Sequence, residues 1–184
     1  MPAHSELRIT PYVLLIAYGN PLRCDDGAGL RLAERMVGRW QATGTRLRHL
    51  AVQQLTPELA VEIAEPGVRT VIFVDARAVE AAAAGQEPAA LAVLATPLAA
   101  PEASSPSLGH HLGPELLLAY AALLLDGRPA PPVWLVTAPG VDFGHGERLS
   151  PPARAAIDRA FDDPSQALPR LMAETEGEMM KDEG

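Results

Sequence analysis

The sequence predicts an α/β fold: a three-layer α/β/α sandwich around a mostly parallel, twisted sheet with one antiparallel strand. Three observations predict it. Short, nearly all-apolar, β-favouring runs recur along the 184 residues. Helical patterns of apolar residues separate these runs. Glycine, proline and aspartate punctuate the joins. Strands buried on both faces and alternating with helices are what a parallel sheet between two helix layers requires.

Tyr12 to Ala17 is the first such run and reads as a doubly covered strand. The turn Tyr18-Gly19-Asn20-Pro21-Leu22-Arg23-Cys24-Asp25-Asp26-Gly27-Ala28-Gly29 follows. A helix then runs from Leu30 to Trp40, with Leu30, Ala33, Met36, Val37 and Trp40 at helical spacing. Arg46 to Val52 is a weaker strand. Thr56-Pro57-Glu58 reads as an N-cap with proline in the first turn, opening a helix to about Glu65. Pro66-Gly67 stops it. Thr70 to Val74 is the clearest strand, ending at Asp75.

The stretch from Ala78 to Ser107 is less regular. Leu91 to Thr96 reads as the antiparallel strand, and Pro97 to Ser107, rich in Pro, Ala and Ser, as a loop. Gly113 to Leu125 is a strongly apolar helix ended by Asp126-Gly127-Arg128-Pro129. Val133 to Thr137 is a further strand, and Ser150-Pro151-Pro152 opens a last helix to about Phe161. One domain spans residues 1–163. Residues 164–184 are expected to form an acidic, disordered tail, because Glu174 to Gly184 carries no hydrophobic period.

Composition narrows the function. The formal net charge is −8, which argues against a nucleic-acid surface and against an anionic membrane. No apolar run approaches the roughly 20 residues of a bilayer span. Cys24 is the single cysteine, so no internal disulfide forms, and a reducing, cytoplasmic setting fits. Met1 to Thr10 lacks the pattern of a signal peptide.

In open α/β sheets function gathers beyond the C-terminal strand ends. That rule selects Gly19 to Asp26, Asp75 to Arg77 and the loop after Thr137. His110-His111, ahead of the apolar helix, is a fourth place. Asp25 and Asp26 are adjacent acids in a sharp turn, which should point them apart. Either could cap the following helix, and either could bind a metal or move a proton. Asp75 is a turn acid on the bland reading and a site acid on the sharper one. Imidazole plus two carboxylates suits a divalent transition metal with positions left open for substrate. Cys24 is incidental, since neighbouring acids raise a thiol pKa. Gly19, Gly27 and Gly29 lack dinucleotide-loop spacing, and the two acids would repel a pyrophosphate.

Gly19 to Gly29 closely resembles the opening signature of the [NiFe]-hydrogenase maturation endopeptidases. Further blocks resemble that family in order. They are Gln54 to Leu59, Val71 to Ala76, His110 ahead of Leu116-Leu117, and Gly140 with Phe143-Gly144 and Leu149-Ser150-Pro151. The resemblance runs from about Tyr12 to Phe161. It implies a cytoplasmic, monomeric endopeptidase that removes the C-terminal extension of the hydrogenase large-subunit precursor after nickel insertion. Nickel would come with the substrate, and no organic cofactor would be permanently bound. By position, Asp26, Asp75 and His110 would contact the nickel, His110 fitting the spacing to the leucines better than His111. Asp25 or Asp26 would move the proton. A self-contained zinc hydrolase on the same residues and a non-catalytic assembly chaperone are the rival readings.

Overall fold

The computed structural model describes residues 10–80, 88–99, 112–162, 164 and 166–181. Five strands form one sheet: β1 (Tyr12–Tyr18), β2 (Leu47–Val52), β3 (Val68–Ala78), β4 (Leu94–Pro97) and β5 (Val133–Gly140). Their order is β2-β1-β3-β5-β4. All neighbours pair in parallel except β4, which runs antiparallel to β5. The helices are α1 (Ala28–Thr43), α2 (Leu59–Ile63), α3 (Pro114–Leu124), α4 (Pro151–Arg159) and α5 (Ala167–Lys181). A 3₁₀ turn, Cys24–Gly27, joins β1 to α1, and a second, Pro88–Leu91, precedes β4.

Alternation along the strands divides the core into two layers. Val13, Leu15 and Ala17 of β1, with Ile72 and Val74 of β3, face α1, α4 and α5. Leu14 and Ile16, with Val71 and Phe73, face α2 and α3. Both sets are shut off from solvent, which is why these strands read as continuous apolar runs. Trp40 at the end of α1 is fully buried in the first layer.

Three expectations are corrected. The helix opened by Thr56-Pro57 is shorter than read, because Thr56 to Glu58 form a turn and only Leu59–Ile63 is α-helical. β3 does not end at Asp75. It continues to Ala78, because β5 keeps pairing with it, Asp75 opposite Thr137 and Ala78 opposite Gly140. Residues 167–181, expected to be disordered tail, form α5. Leu168, Leu171, Met172, Thr175 and Met179 are buried at helical spacing, while Glu174 and Glu178 point outward. The period starts upstream of the acidic stretch, so a window opening at Glu174 misses most of it. Part of the expected loop from Pro97 to Ser107, residues 100–107, lies outside the described residues, as do residues 182–184.

Leu171→Ala tests the α5 docking. Emptying a fully packed leucine site should cost about 2–5 kcal/mol in urea unfolding, whereas a disordered tail would leave stability unchanged.

Candidate active site

β1 and β3 are neighbours in space, yet the chain leaves β1 for β2 on one side and returns past it to β3 on the other. The crevice between their C-terminal ends is the switch point at which open α/β sheets bind their ligands. The β1–α1 turn fills one side of it. Gly19 sits at φ +140°, and a Cβ there would lie 2.2 Å from the Asp26 carbonyl oxygen, so only glycine fits. Asn20 tightens the turn, its side-chain oxygen accepting from the Leu22 N–H at 3.0 Å.

Asp25 and Asp26 follow in the 3₁₀ turn. With three residues per turn, successive side chains diverge by roughly 120°. Asp25 is completely buried. Its Oδ2 accepts from the N–H groups of Val141 (2.8 Å) and Asp142 (3.0 Å) and from the Ser150 hydroxyl (2.7 Å). Its Oδ1 accepts from the Ser150 N–H at 2.7 Å. Ser150 is the N-cap of α4, its Oγ also accepting from the Ala153 N–H at 3.3 Å. Burial pushes the Asp25 carboxyl up, but the bonds from Ser150, Val141 and Asp142 outweigh it and hold the pKa below the usual carboxylate value. Saturated by four donors, Asp25 is a clamp between the β1–α1 and β5–α4 turns. That geometry favours Asp26 over Asp25 as a carrier of protons, since such a carrier needs an accessible oxygen and a pKa near the working pH.

Asp26 points the other way and is half-buried. Its Oδ2 accepts from the Asn20 N–H at 3.0 Å. Neither acid caps α1, whose N-cap is Gly27. Gly29, in the first turn of α1, sets the distance to β3. A Cβ there would lie 2.7 to 3.0 Å from the backbone C, Cα and N of Asp75. The helix thus rests directly on the strand at Asp75, bringing the acid before α1 beside the acid of β3.

Asp75 lies past the last β1–β3 pair, Ala17 opposite Val74. It shares the α3 face with Val71 and Phe73. Tyr18, next along β1 on that same face, sets its phenol beside Asp75. Asp75 Oδ1 also accepts from the Ala76 N–H at 2.7 Å. Burial pushes the Asp75 carboxyl up, the Tyr18 phenol and the Ala76 N–H pull it back, and the Asp26 charge pushes it up again. The outcome is a pKa above the usual carboxylate value. The Tyr18 phenol is itself driven up by burial and by Asp75, so it stays protonated.

The two acids the sequence selected therefore sit together, with Tyr18 as a partner that sequence reasoning missed. Its signal was alternation with Leu14 and Ile16, which needs the strand register to become a contact. His110 and His111 lie outside the described residues, so of the expected set Asp26, Asp75 and His110 only the acids are seen. Among the described residues no three His, Cys, Asp or Glu side chains group to hold a metal ion. His49 pairs in register with Leu15 and so faces the α1 layer, away from Tyr18 and Asp75. Cys24 is buried, and burial together with Asp142 and Asp25 pushes its thiol up, which fits the incidental reading. Four surface clefts of about 310 to 640 Å³ lie around Arg31, Cys24, Thr43 and His145, and neither Asp26 nor Asp75 lines them.

The two acids should respond oppositely to pH. Asp25, with its lowered pKa, contributes stability above the unfolded carboxylate value of about 3.9. That contribution is lost as pH falls through the folded value. Asp25→Asn should cost about 2–4 kcal/mol near neutrality and flatten the acid limb of the stability curve, read by urea unfolding across pH. Asp75, with its raised pKa, favours the fold at low pH and loses that contribution as pH rises through the folded value. Asp75→Asn should therefore raise the unfolding midpoint at pH 7.

No protein-family model matches the sequence, and neither does any curated protein. Solved structures do. HycI, a [NiFe] hydrogenase maturation protease from Thermococcus kodakarensis, is 21% identical with a TM-score of 0.57, over 89% of this chain and 91% of that one. The hydrogenase maturating endopeptidase HybD from E. coli is 19% identical with a TM-score of 0.53, over 82% and 88%. A hydrogenase 2 maturation peptidase from a Thaumarchaeota archaeon is 21% identical with a TM-score of 0.50, over 82% and 93%. The sheet order, the turn that carries Asp25 and Asp26, and these likenesses converge: in fold the chain is like the [NiFe] hydrogenase maturation proteases.

Proposed function

We propose that this protein is an endopeptidase that removes the C-terminal extension of a [NiFe]-hydrogenase large-subunit precursor after nickel insertion. The observation that carries the proposal is the meeting of Asp26 and Asp75 at the switch point, beside a turn whose sequence resembles that family's signature. The fold likeness supports it. In this reading the client's own nickel is recognised by Asp26, Asp75 and His110. Two carboxylates and an imidazole form a donor set suited to such an ion. His110 enters the set by the family resemblance of its place ahead of Leu116-Leu117.

The chemistry divides among the side chains. Nickel carried by the client polarises the scissile carbonyl or a water. Asp26, pointing outward with one oxygen not engaged by Asn20, takes the proton or holds the ion. Asp75, bonded to the Ala76 N–H and flanked by Tyr18, presents a second carboxylate. A client without nickel leaves the ligand set incomplete, which links cleavage to metal insertion. The protein would act in the cytoplasm as a monomer. No helix among the described residues is long and apolar enough to cross a membrane.

Incubation with nickel-loaded precursor, followed by mass spectrometry, tests the reading directly. The wild type should shorten the precursor and leave a nickel-free one intact. Asp26→Asn should lower processing by at least about a hundredfold with an unchanged unfolding midpoint. Normal cleavage by that variant would defeat the assignment.

A further inference from the structure

The helix layer that covers Tyr18 and Asp75 differs from the opposite layer in charge and in exposed apolar surface. On α3, Leu117, Leu118 and Ala121 face the core. The outward side of the same helix is also apolar: Leu116, Tyr120 and Leu123 follow one another at helical spacing. Leu123 is 81% exposed and Tyr120 38%. Val61, on the adjoining α2, is 59% exposed. Solvent-facing leucines at this spacing mark an interaction surface more often than single exposed residues do.

Charge indicates what covers it. No Lys or Arg occurs between Gln53 and Gly67 or between Leu112 and Gly127, whereas Glu58, Glu62, Glu65, Glu115 and Asp126 do. Arg48 pairs with Glu62 and Glu65 from β2. The Arg128 guanidinium is tied to the carbonyls of Ala64 and Leu125. Glu58, Glu115 and Asp126 have no basic partner among the described residues and border the apolar stripe. The opposite layer mixes the two signs, with Arg31 paired to Glu34 and Arg35 to Asp158. A second copy of this chain would set acid against acid across the patch, and an anionic lipid surface would be repelled in the same way.

We infer that the outer face of α3 docks a basic, apolar-faced segment of a protein partner, and that this partner is the substrate precursor. The second half of the inference rests on the proteolytic reading; the first does not. Position argues for the substrate. α3 is about 16 Å long. It leads into β5, which runs parallel to β3, so its first turn lies at the C-terminal edge of the sheet, where Asp26 and Asp75 stand. A chain seated along the stripe thus reaches the crevice of Asp26 and Asp75 at one end. Docking remote from the cleaved bond would hold the precursor in place and give selectivity for one client.

Two measurements test the two halves separately. The first probe is a synthetic amphipathic helix with a leucine face bordered by lysines, compared with the same helix bordered by glutamates. The full-length protein should bind the lysine form, more weakly as salt rises, and not the glutamate form. Leu123→Glu and Leu123→Gln, both at a solvent-facing helical position, should each weaken binding by at least about tenfold. Equal binding of both peptides, binding of neither, or unchanged binding by the variants would overturn the docking surface. The second probe is the nickel-loaded precursor. Leu123→Gln should raise KM by about tenfold or more with kcat unchanged. A fall in kcat alone, or unchanged kinetics, would overturn the substrate as occupant. A wild type that distinguishes the two peptides but leaves the precursor uncut would refute the protease reading while the docking surface stands.

Discussion

A single buried carboxylate organises the C-terminal edge of the sheet. Asp25 accepts four hydrogen bonds, all from the β5–α4 turn and its cap. An ionised acid in the interior is stable only when its charge is met by donors. Here three backbone N–H groups and one hydroxyl meet it. The result is a rivet between two turns that lie more than a hundred residues apart in sequence. Around it the backbones zip together, with Cys24 and Gly146 and then Leu22 and Gly146 joined by N–H to carbonyl bonds of 2.7 and 2.9 Å. Once Asp25 is fixed inward, the pitch of the 3₁₀ turn leaves Asp26 facing the crevice.

The neighbouring constraint is steric. Gly29 has the Asp75 backbone where any other residue would have a Cβ. Helix and strand therefore meet at the one place where their acids can share a site. Burial raises the Asp75 pKa, and the neighbouring Asp26 charge adds to the effect. This is an unfavourable arrangement for stability alone. Asp25 is satisfied and stabilising; Asp75 is held at a cost, beside Tyr18, by one backbone N–H. The contrast distinguishes the two environments more clearly than position in sequence does.

The two helix layers divide the remaining work. The α1, α4 and α5 layer is sealed by large apolar residues, Trp40, Met36, Leu168 and Leu171 among them. The α2 and α3 layer is smaller, acidic at its rim and apolar on its outside as well as its inside. A helix apolar all round is usually covered on both sides. Here one side meets the sheet and, among the described residues, nothing covers the other. The crevice opens on the side of this layer, because Tyr18 and Asp75 point towards it.

Much of the fold was legible from local pattern. β1, α1, β3, α3 and α4 follow from runs and periods confined to short windows, and the antiparallel β4 was visible as a strand between prolines. The placement of Asp26 and Asp75 at one edge of the sheet was legible too, because each stands where a strand or its following turn meets a helix. What sequence could not decide depends on contacts between distant segments. The length of β3 is set by β5, which pairs beyond Asp75. α5 is held by a core that its acidic surface conceals. The division of labour between Asp25 and Asp26 was invisible, because it rests on Val141, Asp142 and Ser150 arriving from the far end of the chain. Local periodicity records which face of an element is buried; only the folded chain decides which charge meets a donor and which is left to act.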